Sequence, residues 1–325
     1  MERGRRGPEE VIVIMDGIVT LTMNPSVDKY ATVDHVTPDR KLRCSKPRHD
    51  PGGGGINVSR AIHTLGGKAA AVYPAGGPLG KMLRALLDEE GIEQRPVSIQ
   101  GLTRQNFAVM EKSSDRQYRF GMPGPELSDE ELKRCLNEVE SICSGCTYLV
   151  ASGSLPPGAP ADFYGRVARV AKDRGVRLIV DTSGEPLRHA SNVGVFLLKP
   201  NLRELSHLAG RDLESESEQY EAARAIIDRS GTEVVVISLG AGGAVLVTAD
   251  RNLEIRAPTV RIRSKVGAGD SMLGGITLAM ARGDSLDDAV RLGVAAGAAA
   301  VMTPGTELCT REDTERLYEG LRRSA

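Results

Sequence analysis

Three short segments of this 325-residue chain combine small residues with groups able to hold or move charge. The first is Pro51-Gly52-Gly53-Gly54-Gly55-Ile56-Asn57. Four residues without Cβ let the main chain approach a ligand closely, and the helix opening after them presents unpaired N–H groups and a positive dipole end. A polar or anionic group is expected there. The second segment, Val266-Gly267-Ala268-Gly269-Asp270, leads into a helical run, Ser271–Ala281. Consecutive N–H groups of small residues entering a helix can hold an anionic oxygen where charge develops. Asp270 at that place can accept the proton of a hydroxyl that attacks phosphorus, although Asp is equally a favoured N-cap and the motif alone does not decide. The third is Lys199-Pro200-Asn201-Leu202-Arg203-Glu204. Asn201 and Glu204 share a helix face and can reach one magnesium hydration shell or phosphate, yet they also form a capping box in all but the first residue.

The usual nucleotide loops are absent. No G-x-G-x-x-G follows a strand. In Gly76-Gly77-Pro78-Leu79-Gly80-Lys81, Ala75 stands where a P-loop needs its first glycine, and Met82 replaces the Ser or Thr that would hold magnesium. Any use of ATP therefore relies on a different fold, and an NAD-dependent reaction is disfavoured.

The elements that must position these segments follow from periodicity. Val58, Ala61, Ile62 and Leu65 fall at i, i+3, i+4, i+7, which predicts an amphipathic helix after the glycine run. Ile18–Met23, Tyr148–Ala151, Arg177–Val180 and Val195–Leu198 read as strands, alternating with helices over 79–90, 161–174 and 217–229. Val11–Met15 also reads as apolar strand material. Alternation of this kind predicts a mainly parallel sheet with helices on both faces. Residues 104–111 and 116–122 alternate apolar and polar around Ser113-Ser114-Asp115, a hairpin signal; with 30–44 they predict a small antiparallel sheet that suits a lid. A second hairpin is expected at Val234–Leu239 and Ala244–Val247, and packed helices from Asp270 onward. The expected organisation is a leader over 1–17 without fixed structure, an α/β domain over 18–27, 45–102 and 123–325, and a lid over 28–44 and 103–122.

Composition narrows the partners. With 42 basic and 43 acidic side chains the net charge is −1, so no global field draws in nucleic acid. No apolar run approaches the roughly 18 residues that span a bilayer, and MERGRRGPEE lacks the apolar stretch of a signal peptide. Five scattered cysteines, Cys44, Cys135, Cys143, Cys146 and Cys309, suit free thiols in a cytoplasm. Cys143-x-x-Cys146 has redox spacing, but no second CxxC or His pair completes a zinc site, and a structural reading is preferred. None of the five histidines forms a metal pair at helical spacing.

The order of these pieces resembles the ribokinase-like sugar kinases, and within them the branch of the minor ATP-dependent 6-phosphofructokinase, tagatose-6-phosphate kinase and 1-phosphofructokinase. The matching features are Asn24-Pro25-Ser26-Val27-Asp28, Gly52–Asn57 with Leu65-Gly66-Gly67, Thr103-Arg104-Gln105-Asn106, Ser152-Gly153-Ser154-Leu155-Pro156-Pro157-Gly158, Lys199–Glu204, Ser238-Leu239-Gly240 and Gly267–Asp270. They run from about residue 18 to the C-terminus. The resemblance implies that Asp270 is the base and the amides of Gly267, Ala268 and Gly269 an anion hole. It implies sugar contacts at Asp28, Gly53, Gly54, Asn57, Ser152 and Ser154, and nucleotide contacts at Lys199, Asn201, Glu204, Ser238, Gly240 and Gly243. Glu204 would reach Mg2+ through water, and carbonyls near Ser264, Val266, Ala300, Thr303 and Gly305 would hold a monovalent cation, K+.

Lys41, Arg43 and Arg104 lie on the two lid stretches, and three cations converging on one place suit a phosphate already on the substrate. Lys41-Leu42-Arg43-Cys44 and Gln117-Tyr118-Arg119-Phe120 look closest to the minor phosphofructokinase, which implies a homodimer through the lid, with Arg43 reaching the neighbour's site. The implied reaction is ATP-dependent phosphorylation at C1 of fructose 6-phosphate. Tagatose 6-phosphate and fructose 1-phosphate are the alternative acceptors, and a sugar-phosphate sensor without turnover is the alternative from another class. Two positions depart from the pattern: Lys265, where a small hydroxyl or Pro is usual, and Glu307, where a basic residue would be unsurprising.

Overall fold

The computed structural model describes residues 17–323, so the expected leader and the Val11–Met15 run lie outside the described residues, apart from Gly17. The chain runs β1 (Ile18–Leu21), β2 (Ser26–Val33), β3 (Arg48–Gly52), α1 (Gly54–Thr64), β4 (Ala70–Ala75), α2 (Gly77–Glu89), β5 (Glu93–Ser98), β6 (Arg104–Glu111) and β7 (Arg116–Phe120). It continues through α3 (Asp129–Cys143), β8 (Tyr148–Ser152), α4 (Phe163–Asp173), β9 (Arg177–Asp181), α5 (Gly184–Val193), β10 (Leu197–Leu198), α6 (Leu202–Ala209) and α7 (Glu216–Ser230). The last part holds β11 (Val234–Ser238), β12 (Ala244–Val247), β13 (Asn252–Ile255), α8 (Ala268–Ala281), α9 (Leu286–Val301) and α10 (Arg311–Arg323).

Nine strands form the main sheet in the order β13-β12-β11-β10-β9-β8-β1-β4-β5. Its pairings are parallel from β5 to β11 and antiparallel at β11–β12 and β12–β13. Helices cover both faces, so a strand such as β1 is buried at every residue and reads as a continuous apolar run. One core lies under α3, α4, α5 and α7, the other under α1, α8, α9 and α10. Among the described residues no helix is long and apolar enough to cross a membrane.

The second sheet has the order β3-β2-β6-β7. Its outer pairings are antiparallel, as expected, while the middle pair β2–β6 runs parallel with Ser26 opposite Arg104. Residues 34–47 hold no strand, although 30–44 was expected to supply one. The partner of β2 is instead Arg48–Gly52, so the small sheet extends beyond the lid limits read from sequence and runs directly into the glycine segment. The expected strand at Val195–Leu198 shrinks to Leu197–Leu198, because its neighbours β9 and β11 register with those two residues only.

Helices α1 and α8 are the frame of the site. A Cβ placed on Gly274 would lie 2.9 Å from the Cβ of Ala61, so the missing side chain sets how closely these helices approach. Gly274 is one turn beyond Asp270 and Ala61 one turn beyond Asn57, so this contact aligns the two polar side chains on facing surfaces.

Candidate active site

Asp270 is the third residue of α8, after an N-cap at Gly267 with φ 72°. It is therefore not the cap. The left-handed turn at Gly267 suits a residue without Cβ and aims the next amides toward the cleft. The Asp270 carboxylate accepts a 2.8 Å hydrogen bond from Nδ2 of Asn57. Burial pushes its pKa up to about 6; the Asn57 bond opposes that shift, and Asp181 and Asp28 add to it. A base of this kind loses its proton near neutrality, where a hydroxyl must be activated. Activity should rise with pH through about 6 and level off above it, because only the deprotonated carboxylate accepts a proton; a kcat/KM profile from pH 5 to 8 checks this.

The glycine segment does a different job from the one its composition suggested. A Cβ on Gly54 would lie 2.4 Å from Oγ of Ser152 and 2.7 Å from the amide of Gly153, and one on Gly55 2.6 Å from the carbonyl of Leu21. The bare positions thus seat α1 on the ends of β1 and β8, not against open space. The amide of Ile56 is already bonded to Oγ1 of Thr22 at 2.7 Å, so the helix start is partly capped by protein. Gly54→Ala should cost about 1–3 kcal/mol of stability by overpacking, read as a lower Tm in calorimetry, together with lost turnover as Asn57 shifts.

On the side of the small sheet, Asp28 accepts at Oδ1 from Oγ of Ser26 (2.7 Å) and Nδ2 of Asn106 (2.8 Å), and a Cβ on Gly52 would meet its carboxylate at 2.5 Å. Asp28, Arg104, Asn106, Arg119 and Thr306 line a cavity of about 370 Å³ between the small sheet and the loops that carry Val266 and Thr306. Arg104 donates to the carbonyls of Asn24 (2.8 Å) and Met122 (3.0 Å), while its Nε is buried without a partner. Burial holds this guanidinium below its ordinary value, against the pull of Asp28. Such an orphaned donor in a polar cavity fits an anionic group. Lys41 and Arg43 do not join it: both are exposed on the irregular 34–47 segment and neither lines the cavity. Of the three expected cations Arg104 alone lines the cavity of its own chain, because the segment carrying the other two leaves the sheet after Val33. Arg119, which faces the cavity beside Arg104, and Asn106 were in quoted motifs but were not assigned. Ser152 is buried beneath Gly54, and Ser154 is exposed with its Oγ 3.3 Å from Nδ2 of Asn24.

On the other side of Asp270 lies a second cleft of about 500 Å³. Asn201, Ser238, Gly240 and Gly243 line its polar end with Ala268 and Gly269, while Val260, Met272, Val294 and Val301 make an apolar slot. A flat heterocycle with a polar tail fits such a shape. Asn201 caps α6 and Glu204 completes the box, each bonding the other's amide at 2.9 Å; of the two, Asn201 lines the cleft. Burial raises the Glu204 carboxyl above its ordinary range. Lys199 follows β10, is buried, and pairs with Asp181 at 3.0 Å. Burial pulls its ammonium down, but Asp181, Asp270 and Glu204 outweigh that and hold it above the ordinary value. Its Nζ would be 3.6 Å from a Cβ on Gly269, so a fixed positive charge stands beside the small-residue turn. Asp181 was missed, though its place at the end of a buried parallel strand was a usable signal.

Ser264 donates from Oγ to the carbonyl of Gly305 at 2.6 Å and accepts from the amide of Val266 at 3.2 Å. Thr303 donates to the carbonyl of Ala300 at 2.7 Å. Ser264, Val266, Thr303 and Gly305 thus sit on loops that meet beside Ala300 in the last turn of α9, whose carbonyl already accepts from both the amide and Oγ1 of Thr303. Lys265 lines the second cleft. Glu307 pairs with Arg48 of β3, which ties the loop to the small sheet.

A mainly parallel sheet covered by helices on both faces, with a small separate sheet beside a buried aspartate at a helix start, is the architecture of the ribokinase-like carbohydrate kinases. The model of the pfkB family of carbohydrate kinases matches residues 21–313, and the chain belongs to that family. It is 49% identical over 302 residues to the ATP-dependent 6-phosphofructokinase isozyme 2 of Mycobacterium tuberculosis, covering 93% of this chain and 89% of the relative. A crystal structure of phosphofructokinase-2 from Escherichia coli in complex with potassium matches with TM-score 0.91 at 43% identity, over 96% of this chain and 100% of the other. A second structure of that enzyme, in complex with fructose-6-phosphate, matches with TM-score 0.90 at 42% identity and the same coverage.

Proposed function

We propose that this chain transfers the γ-phosphoryl group of MgATP to the C1 hydroxyl of fructose 6-phosphate, giving fructose 1,6-bisphosphate and ADP. The observation that carries this reading is the position of Asp270, bonded to Asn57 and standing where α8 begins between a polar cavity and an apolar cleft. Asp28 and Asn57 hold the sugar hydroxyls and Arg104 with Arg119 receives the 6-phosphate. Gly53, Gly54 and Ser152 act from behind, by seating α1 so that Asn57 meets Asp270, and Ser154 lies beside Asn24. Lys199, Asn201, Ser238, Gly240 and Gly243 hold the nucleotide. Asp270 takes the hydroxyl proton as the oxygen attacks phosphorus, and the amides of Gly267, Ala268 and Gly269 stabilise the charge that collects on the migrating group.

Glu204 keeps Oε1 available, its Oε2 being bonded to the Asn201 amide, and one carboxylate suits Mg2+, which retains several waters. When bound, that ion neutralises phosphate charge. The carbonyls of Ser264, Val266, Ala300, Thr303 and Gly305 fit K+ and would order the turn before Gly267. The chain works in the cytoplasm, where MgATP is available.

A coupled ADP-release assay over fructose 6-phosphate, tagatose 6-phosphate, fructose 1-phosphate, fructose and ribose tests the assignment. Fructose 6-phosphate should give the highest kcat/KM; equal turnover of ribose would overturn it, and none with any sugar would leave a sensor.

The lid also supports a homodimer. Leu42, Phe120 and Met122 are apolar yet 39–49% exposed on and beside the small sheet, a surface that a second lid would cover, bringing Lys41 and Arg43 toward the neighbour's site. Phe120→Glu should shift the species seen in sedimentation velocity from dimer to monomer.

A further inference from the structure

The Cys143-x-x-Cys146 segment has no part in the phosphoryl-transfer site. It forms the turn between α3 and β8, at the start of the strand whose other end, Ser152, reaches Gly54. The Cys146 amide donates to the Cys143 carbonyl at 3.3 Å, and the helix C-cap Ser144 keeps right-handed helical angles. A closed four-residue turn of this kind holds its end Cα atoms within about 7 Å, and disulfides span about 4.4–6.8 Å. The turn also brings the two thiols close enough for each to perturb the other's protonation. Cys143 is 2% exposed, whereas Cys146 is only partly covered. Cys146 is therefore the more accessible of the two, although it also packs against the core. Cys44, by contrast, is exposed on the irregular 34–47 segment, while Cys135 and Cys309 are buried.

We infer that Cys143 and Cys146 are a redox-active pair that closes to a reversible intrachain disulfide by exchange with a low-molecular-weight disulfide such as glutathione disulfide. In the first step Cys146 sulfur attacks the reagent, one glutathione leaves, and the Cys146 proton passes to solvent. In the second, Cys143 sulfur attacks Cys146 in the mixed disulfide and expels the other glutathione. Two protein thiols are oxidised to one S–S bond, and the reagent is reduced to two glutathione thiols that carry the two protons. The neighbouring Cys146 thiol favours the thiolate of Cys143, which places the Cys143 thiol below its ordinary range and suits it to this second attack.

Incubating the full chain with glutathione disulfide and mapping its peptides tests the inference. Cys44 should carry glutathione, as an accessible thiol without a partner, while the peptide holding Cys143 and Cys146 should carry none and lack two hydrogens. Glutathione retained on Cys146, or two free thiols there while Cys44 is modified, would overturn the inference. Cys143→Ser should convert Cys146 into a lasting glutathione adduct; a failure of Cys146 to react would count against it. Should that variant not fold, phenylarsine oxide, which needs two adjacent thiols, should block alkylation of both cysteines in the unaltered chain, and unchanged alkylation would equally refute the pair.

Discussion

Asp270→Asn should lower kcat by about 10²–10⁴-fold and leave nucleotide affinity and Tm nearly unchanged. The amide has the shape of the carboxylate, and its oxygen can still accept from Nδ2 of Asn57, so the contact that fixes the side chain survives. What disappears is a group able to take a proton. The position also lies in the first turn of α8, where a negative charge favours the helix dipole by about 0.3–1 kcal/mol. A purely structural role therefore predicts the opposite pattern, a small loss of Tm with kcat intact. Steady-state kinetics, isothermal titration with a non-hydrolysable nucleotide and calorimetry on one preparation separate the two. Turnover within threefold of the parent would remove Asp270 from the chemistry. The loss should also flatten the acid limb of the pH profile, since the group that titrates near 6 is gone.

The local pieces of this arrangement were legible because each has a short-range physical cause. The 3.6-residue period of Val58, Ala61, Ile62 and Leu65 marks α1, and the apolar runs mark strands buried on both faces. The capping pair Asn201 and Glu204 marks the start of α6. The Asn57–Asp270 bond spans 213 positions and has no local signature; it follows from the fit of Gly274 against Ala61, which only the packed helices reveal. The glycine run was legible only in part for the same reason. Bare Cα atoms signal close approach, but composition does not say whether the approaching atoms belong to a ligand or to the ends of β1 and β8. Lys41 and Arg43 failed differently: charge and order along the chain placed them on the lid, but register decides what faces a pocket, and β2 ends at Val33 before either is reached. Arg119 and Asp181 lay within readable strands and were overlooked because neither residue type is distinctive without its partner across the cavity.

The second large effect concerns the phosphate on the acceptor. Arg104→Gln should lower kcat/KM for fructose 6-phosphate by roughly 10- to 150-fold, the equivalent of about 1.5–3 kcal/mol for a hydrogen bond to a charged group. Most of that loss should appear in KM, because the 6-phosphate is bound equally in the ground and transition states. Turnover of fructose, which has no phosphate, should hardly change, so the ratio of the two specificity constants falls with Arg104. This ratio separates a phosphate contact from general damage. Arg104 also braces the carbonyls of Asn24 and Met122, and loosening that brace would slow both sugars alike. Arg119→Ala provides an independent check, since Arg119 lines the same cavity but is exposed and its side chain makes no hydrogen bond or ion pair among the described residues. If Arg119→Ala leaves the ratio untouched and Arg104→Gln depresses fructose and fructose 6-phosphate equally, the cavity between the sheets does not hold the phosphate. The acceptor would then be an unphosphorylated sugar. Addition of inorganic phosphate supplies a third reading: it should compete with fructose 6-phosphate in the parent and lose that competition in both variants.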